Sequence, residues 1–309
     1  MRVLVIGNPA AGAGRAGRRV AALVAALGRR GHAVESLLTT RPGEARARAA
    51  AAEGRFDCMV AAGGDGTLNE VLNGLADPRA TPLVPMALGT ANMLARELAI
   101  PRAPAALAAL IESGAVRRVD MGRVDGTRFL GVVGVGFDAM VTEAVRQRRR
   151  GRLGYRGYVL PILRTLARYR PPRFAVRLDG GAPIECAFAI ACNLPCYGGV
   201  LRVTPDARCD SGRLEVALFE RATAADLVRS AWPAWRGTLA ARRWVRCGAA
   251  TRIEIDGAAP PVAVQVDGDA WGTTPIRIEL EPRAVPILAP AQPARVGSAG
   301  GVSSAALSG

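Results

Sequence analysis

The sequence predicts an α/β protein in two parts, a parallel α/β domain followed by an antiparallel β-sandwich domain, and three observations carry that prediction. Over residues 1 to about 125, short apolar runs alternate with segments of helical period, the pattern of a parallel sheet covered by helices on both faces. After about residue 126 the period changes to two, with turn dipeptides at Asp125-Gly126, Asp179-Gly180, Asp256-Gly257 and Asp267-Gly268. The length, 309 residues, suits two domains that each bury a core.

In the first part, Val3–Ile6 reads as a strand running into Gly7-Asn8-Pro9, Arg18–Gly31 as a helix, Ala33–Thr39 as a second strand and Gly43–Gly54 as an alanine-rich helix. Strand Cys58–Ala62, the loop Gly63-Gly64-Asp65-Gly66 and helix Thr67–Ala76 come next, then strand Leu83–Leu88 and helices Thr90–Leu98 and Ala103–Ser113. In the second part, Arg252-Ile253-Glu254-Ile255, Val262-Ala263-Val264-Gln265-Val266 and Ile276-Arg277-Ile278-Glu279-Leu280 alternate as half-buried strands do. Residues 291–309 are mostly Gly, Ala, Ser and Pro without apolar period, which predicts a disordered tail.

Composition narrows the chemistry. All 41 cationic side chains are arginine, there is no lysine, and His32 is the one histidine. A Walker-type phosphate loop, a protein-kinase ATP grip and Schiff-base catalysis each need a lysine. One histidine leaves little scope for a His-rich metal site or a Ser-His-Asp triad. The six cysteines form no C-x-x-C pair and read as free, mostly buried thiols in a reducing cytosol. No apolar run approaches the ~18 residues of a membrane span, and the first run is too short for a signal peptide. The expectation is a cytoplasmic protein whose membrane contact is peripheral.

The net charge of +15 is unevenly placed. Between Arg146 and Arg173 lie ten arginines and no acidic residue, interleaved with Leu153, Tyr155, Tyr158, Val159, Leu160, Ile162, Leu163, Leu166 and Tyr169. Such a stretch suits an anionic surface, phospholipid or nucleic acid; a solvated helix in an arginine-biased chain has the same pattern.

The segment Gly63-Gly64-Asp65-Gly66-Thr67-Leu68-Asn69-Glu70 ends a strand in glycines, which let a ligand approach the backbone, and opens a helix with Thr67 and Glu70 in capping-box spacing. Free N–H groups at the carboxyl edge of a parallel strand bind phosphate, and Asp65 among them calls for a cation, hence a Mg²⁺-bound nucleotide. A tight turn with an acidic cap gives the same spacing. Two more strand ends repeat the idea, at Gly7-Asn8-Pro9-Ala10-Ala11-Gly12 and at Gly89-Thr90-Ala91-Asn92.

Together, Asn8-Pro9-x-x-Gly12, Gly63-Gly64-Asp65-Gly66-Thr67-x-x-Glu70-Val71-x-Asn73-Gly74 and Leu88-Gly89-Thr90-x-Asn92 closely resemble the soluble diacylglycerol kinase and sphingosine kinase family of lipid kinases, up to about residue 285. The resemblance implies a Rossmann-like first domain over 1–125, to which the chain returns near 283–290, and a sandwich domain over 126–282. It implies transfer of the γ-phosphoryl group of ATP, with Mg²⁺, to the hydroxyl of diacylglycerol or a similar lipid at the inner face of the membrane. ATP would lie against Asn8, Pro9, Ala10, Ala11, Gly12, Thr39, Gly63, Gly64, Asp65, Gly66, Thr67, Leu68, Asn69 and Thr90. Asp65 and Asp120 would serve Mg²⁺, and a structural cation would sit at Arg208, Ser211 and Arg213. In Val266-Asp267-Gly268-Asp269, which looks like the family's Asp-Gly-Glu motif, Asp267 is the first candidate for the base that takes the acceptor's proton and Asp269 the second.

This sequence departs from the family at Met93, where many relatives have an aspartate in the Mg²⁺ network, at Ala11 for a serine and at Ser211 for an aspartate. An NAD kinase-like enzyme shares Gly63-Gly64-Asp65-Gly66, and a non-catalytic nucleotide- or lipid-binding relative is a third reading. No nucleic-acid partner is expected from so few aromatics, and a homodimer is compatible with the sequence.

Overall fold

The computed structural model describes residues 1–148, 155–257 and 259–291; most of the predicted tail, 292–309, and residues 149–154 of the basic stretch lie outside them. The first half alternates strand and helix: β1 (Arg2–Gly7), α1 (Ala16–Gly28), β2 (Ala33–Leu38), α2 (Glu44–Ala52), β3 (Cys58–Gly63), α3 (Asp65–Gly74), β4 (Leu83–Ala87), α4 (Met93–Glu97) and α5 (Pro104–Ser113). β2, β1, β3 and β4 pair in that order, all parallel. β3 is buried along its whole length, because helices cover both sheet faces and leave no position for a polar side chain.

The second half holds β5 (Ala115–Val124), β6 (Thr127–Phe129), β7 (Val132–Val135), α6 (Phe137–Arg148), α7 (Tyr155–Arg168), β8 (Phe174–Leu178), β9 (Ile184–Cys186), β10 (Phe188–Cys192), β11 (Leu214–Phe219), α8 (Ala224–Arg236), β12 (Val245–Ala250), β13 (Arg252–Ile255), β14 (Ala263–Val266), β15 (Asp269–Thr273) and β16 (Ile276–Ala289). One antiparallel sheet runs β12-β11-β10-β7-β14-β15. The other is the β5, β6, β16, β13, β8 and β9 part of the ten-stranded sheet, and the two enclose a core that includes Phe129, Val133, Val176, Ala189, Val216, Ile253 and Ile278. The fold is thus α/β with a parallel-sheet first domain and an antiparallel second one. Asp125-Gly126, Asp179-Gly180 and Asp267-Gly268 have positive φ at both residues, as two-residue hairpin turns of matching twist require.

β16 joins the halves. Its start pairs with β13 in the sandwich, it runs antiparallel to β5 over most of its length, and Ile287 lies beside Leu83 of β4 in parallel. The register with β5 breaks between Glu281 and Val285. There Asp120, fully buried, accepts the Arg283 N–H on Oδ1 at 2.8 Å and the Gly212 N–H on Oδ2 at 2.6 Å. Asp120 therefore satisfies the Arg283 N–H that the break in the ladder leaves without a strand partner, and ties the Gly212 loop to it.

Candidate active site

The glycine-bearing loops after β1, β3 and β4 converge on one edge of the parallel sheet. Gly64 and Gly89 touch through their backbones: a Cβ on Gly89 would stand 2.5 Å from the Gly64 Cα. Asn8 N–H reaches Ala62 O at 3.0 Å, and Asn8 Oδ1 accepts the Ala10 N–H at 2.9 Å, which preshapes the loop Asn8-Pro9-Ala10-Ala11-Gly12. Thr39 follows β2 with its N–H on Gly7 O at 2.8 Å, and Thr90 lies in the turn after β4. The structure thus brings all four predicted nucleotide segments to this edge.

α3 begins two residues earlier than the spacing suggests, with Gly64 as N-cap and no side-chain cap. Thr67 does not act as a cap; its side chain fills the space beside Gly63 where any Cβ would collide with it. The early start puts Asp65, Asn69 and Asn73 at i, i+4 and i+8, on one helix face. Asn69 Nδ2 donates to Asp267 Oδ2 at 3.3 Å. Asn73 clamps β6, donating to Arg128 O at 2.9 Å and accepting the Arg128 N–H at 2.9 Å. One face of α3 therefore carries both the phosphate-side carboxylate and the attachment to the second domain.

Between the domains lies a narrow pocket lined by Asp65, Leu68, Asn69, Met93, Leu94, Leu130, Gly131, Leu194 and Asp267. Met93 N–H donates to Asp65 Oδ1 at 2.7 Å, while the thioether faces Gly131. Where the resemblance implies a third carboxylate, this chain supplies a backbone donor and an apolar wall. Burial raises the Asp65 carboxyl above the ordinary carboxylate range. Asp267 is pushed up to about 6, by burial first and secondarily by the Asp65 charge, against three backbone hydrogen bonds that pull it down.

Asp267 and Asp269 stand in different environments. Asp267 Oδ1 accepts the N–H groups of Gly131 and Val132, both at 2.8 Å, and Oδ2 accepts the Leu130 N–H at 3.0 Å together with Asn69. Four donors fill a carboxylate's four lone-pair sites. Asp269 is exposed, and its Oδ2 lies 3.5 Å from where a Cβ on Gly66 would be, beside the glycine loop.

Two residues behind the turn carried almost no sequence signal. Gln265, wholly buried, donates from Nε2 to Asp138 Oδ2 at 3.0 Å and accepts the Gly268 N–H on Oε1 at 2.7 Å, tying the Asp267-Gly268 turn to α6. Burial pushes Asp138 up to about 6. The one hint is a glutamine inside an otherwise apolar run.

Among the described residues no three His, Cys, Asp or Glu side chains gather into a protein-only metal site. A hard divalent cation that arrives with phosphates needs only one or two carboxylates, and Asp65, half-buried beside Asp267, provides that, so the residues fit Mg²⁺ carried by a nucleotide. Asp120 is committed to Gly212 and Arg283 instead. The loop of Arg208, Ser211 and Arg213 fits a cation poorly: Ser211 Oγ lies 3.1 Å from Arg208 O and 2.9 Å from Arg213 O, as a hydroxyl bridging two carbonyls. The nearby Asp210 is paired with Arg208 at 2.9 Å and Arg117 at 3.7 Å.

The comparisons with known proteins agree with this geometry. The Diacylglycerol kinase catalytic domain family matches residues 2–124, and the YegS C-terminal NAD kinase beta sandwich-like domain matches residues 131–289. A diacylglycerol kinase of Bacillus subtilis is 30% identical over 89% of this chain and 91% of its own. One from Staphylococcus aureus is 26% identical over 94% and 92%. Among solved structures, a diacylglycerol kinase from Bacillus anthracis has a TM-score of 0.69 at 21% identity, covering 93% of this chain and 96% of its own. A second chain from that organism reaches 0.75 at 23% identity with the same coverage. The likeness to those structures shows the fold; the sequence matches add that the chain belongs to the diacylglycerol kinase family and is a lipid kinase.

Proposed function

We propose that the protein transfers the γ-phosphoryl group of Mg²⁺-bound ATP to the hydroxyl of diacylglycerol or a similar long-chain lipid alcohol, working peripherally at the anionic inner face of a membrane. The observation that carries this reading is the interdomain pocket, where the carboxylates of Asp65 and Asp267 meet an apolar wall of Leu68, Met93, Leu94, Leu130 and Leu194. A polar floor suits a reacting hydroxyl, and an apolar wall suits what is attached to it.

Asn8 to Gly12, Thr39, Gly63 to Asn69 and Thr90 hold the nucleotide, mostly through backbone N–H groups and the start of α3. This design needs no lysine. Asp65 would hold Mg²⁺, which supplies charge neutralisation on the phosphates. Asp269 is the base: it takes the acceptor's hydroxyl proton as the new O–P bond forms and the bond to the ADP oxygen breaks. Asp267, with its lone pairs filled by four donors, fixes the turn that presents Asp269 and locks Leu130–Val132 to α3. This reverses the order of candidates that the motif suggests, on the ground that both oxygens of Asp267 are already committed to four donors.

Among the described residues no helix is long and apolar enough to cross a membrane. α7 exposes Tyr158, Val159, Leu160, Ile162 and Leu163, with Arg164 and Arg168 beside them, which supports docking on anionic lipid. Incubation with γ-labelled ATP, Mg²⁺ and mixed lipid vesicles gives a labelled phospholipid on this reading. No labelled product with any hydroxylated lipid would sink it.

A further inference from the structure

α8 carries a second unpartnered face, at Val228, Trp232 and Trp235. These fall at i, i+4 and i+7 on one stripe and are 60%, 64% and 54% exposed. The two indoles lie against each other, ring centroids 5.0 Å apart, rather than against the body of the protein. Half of the chain's four tryptophans are spent on this patch.

Loose packing does not explain the exposure. Thr223 and Asp226 form a reciprocal capping box, and Gly237 closes the helix in the left-handed conformation. Asp226, Ser230, Pro233 and Ala234 are buried on the inner side. Trp244 Nε1 donates to Ser230 Oγ at 3.0 Å, and the Arg202 N–H reaches Ala234 O at 2.7 Å. The helix is fixed, and its outer stripe remains apolar.

Charge says what would cover it. Residues 220–246 contain six arginines and two carboxylates, Glu220 and Asp226, which pair with Arg246 and Arg229. Exposed Arg221, Arg236 and Arg243 leave a positive surplus in the segment that carries the indoles. A second copy of the same face would bring arginine to arginine, whereas an anionic phospholipid surface complements the charge and takes tryptophan at its headgroup level.

α8 and α7 both belong to the second domain and share its outer apolar packing. Along β10 and β11, Ala189, Ala191, Val216 and Leu218 face the sandwich core, while Phe188, Ile190, Ala217 and Phe219 face the other way. On that outer face Phe137 of α6 meets Tyr169, which follows α7, and Phe188; Phe188 stacks near Phe219; and Ala234 of α8 belongs to the same cluster.

We propose that Val228, Trp232 and Trp235 of α8 form a second membrane-contact surface for anionic phospholipid, acting with α7 to seat the enzyme on the bilayer. The inference rests on the reading of the enzyme as one that works at a membrane, and its test does not depend on catalysis. Partition of the full chain into phosphatidylglycerol–phosphatidylcholine vesicles, half with brominated acyl chains, is measured for the wild type, for Trp232→Ala/Trp235→Ala and for Leu160→Ala/Leu163→Ala on α7, with thermal melts as the folding control. The proposal expects wild-type tryptophan emission to be quenched by brominated lipid, quenching to disappear in the α8 variant, and partition to weaken about tenfold or more in that variant at unchanged Tm. Wild-type partition in the α8 variant, with loss only in the α7 variant, overturns the proposal and leaves membrane docking standing. Absence of wild-type binding to any anionic vesicle overturns both. A wild-type dimer that becomes a monomer in the α8 variant, with vesicle binding unaltered, assigns the surface to a second copy instead.

Discussion

Replacing Asp267 and Asp269 one at a time separates a positioning carboxylate from a catalytic one. In Asp267→Asn, one carbonyl oxygen can accept two of the four donors that converge from Leu130, Gly131, Val132 and Asn69. The new NH₂ group then faces the others. Asn69 can turn away, but a backbone N–H cannot, and one buried unsatisfied donor costs about 1–3 kcal/mol. The remaining bonds also lose their charge assistance, while a neutral amide is easier to bury than the carboxylate, so the net cost is about 2–3 kcal/mol, or about 5–10 °C in Tm. Asp269 is exposed, so Asp269→Asn should melt within about 1–2 °C of the wild type and lose about 10²–10⁴-fold in kcat, the usual range for a removed general base. Melting curves and steady-state phosphorylation of vesicle-borne diacylglycerol measure both. If Asp267→Asn keeps its Tm and loses turnover, or Asp269→Asn keeps more than about a tenth of wild-type kcat, the roles are assigned wrongly.

Three further outcomes follow from the same geometry. Asp138 is held at about 6 when folded, above the ordinary carboxylate value of the unfolded chain, so the native state binds the proton more tightly and gains stability as pH falls through about 6. The Tm advantage of wild type over Asp138→Asn should therefore grow between pH 7 and pH 5, and a pH-independent gap would contradict the assignment. Gln265→Met cuts the tie between Asp138 and Gly268, and kcat should fall about 10–100-fold with the KM for ATP held, as a slightly displaced turn predicts; a shift in the ATP KM alone would place the residue's influence elsewhere. Gly66→Ala has open space, with Asp269 Oδ2 at 3.5 Å the one atom from outside the helix within contact range among the described residues, so Tm should hold while the KM for ATP rises about tenfold because a methyl stands where phosphate would approach. Unaltered ATP binding in that variant would remove the loop from the nucleotide site.

Much of the fold could be read from periodicity, because the parallel sheet of the first domain and the hairpins of the second impose different spacings on apolar residues. β1, β2, β3 and α5 fall within a residue or two of the apolar runs that suggest them. α4 is shorter than its pattern, since Asn92 sits at φ 47° and starts the helix after the Gly89 turn. The Thr67–Glu70 spacing imitates a capping box that tertiary packing overrides, because the strand end at Gly63 needs the Thr67 side chain against it. The glycine loops were visible because their chemistry is local. The work of Asp267 was not, since its donors at Leu130, Gly131 and Val132 are about 135 residues away and meet it only when β7 and β14 pair. The Asp-Gly dipeptide marks the hairpin correctly, and only the folded sheet reveals that the same residue also binds the domains together. Asp120 illustrates the converse: a family pattern points it toward a metal, while the break in β16 and the loop before β11 each give one of its oxygens a backbone donor.

Whether a lipid hydroxyl is phosphorylated at the pocket between the domains is decided by one radiolabel experiment. Purified protein is incubated with γ-labelled ATP, Mg²⁺ and anionic vesicles containing diacylglycerol, and the extracted lipids are resolved beside those from Asp269→Asn. The wild type should give a labelled phospholipid and the folded variant almost none. Label in no lipid, or equal label from both proteins, would contradict it.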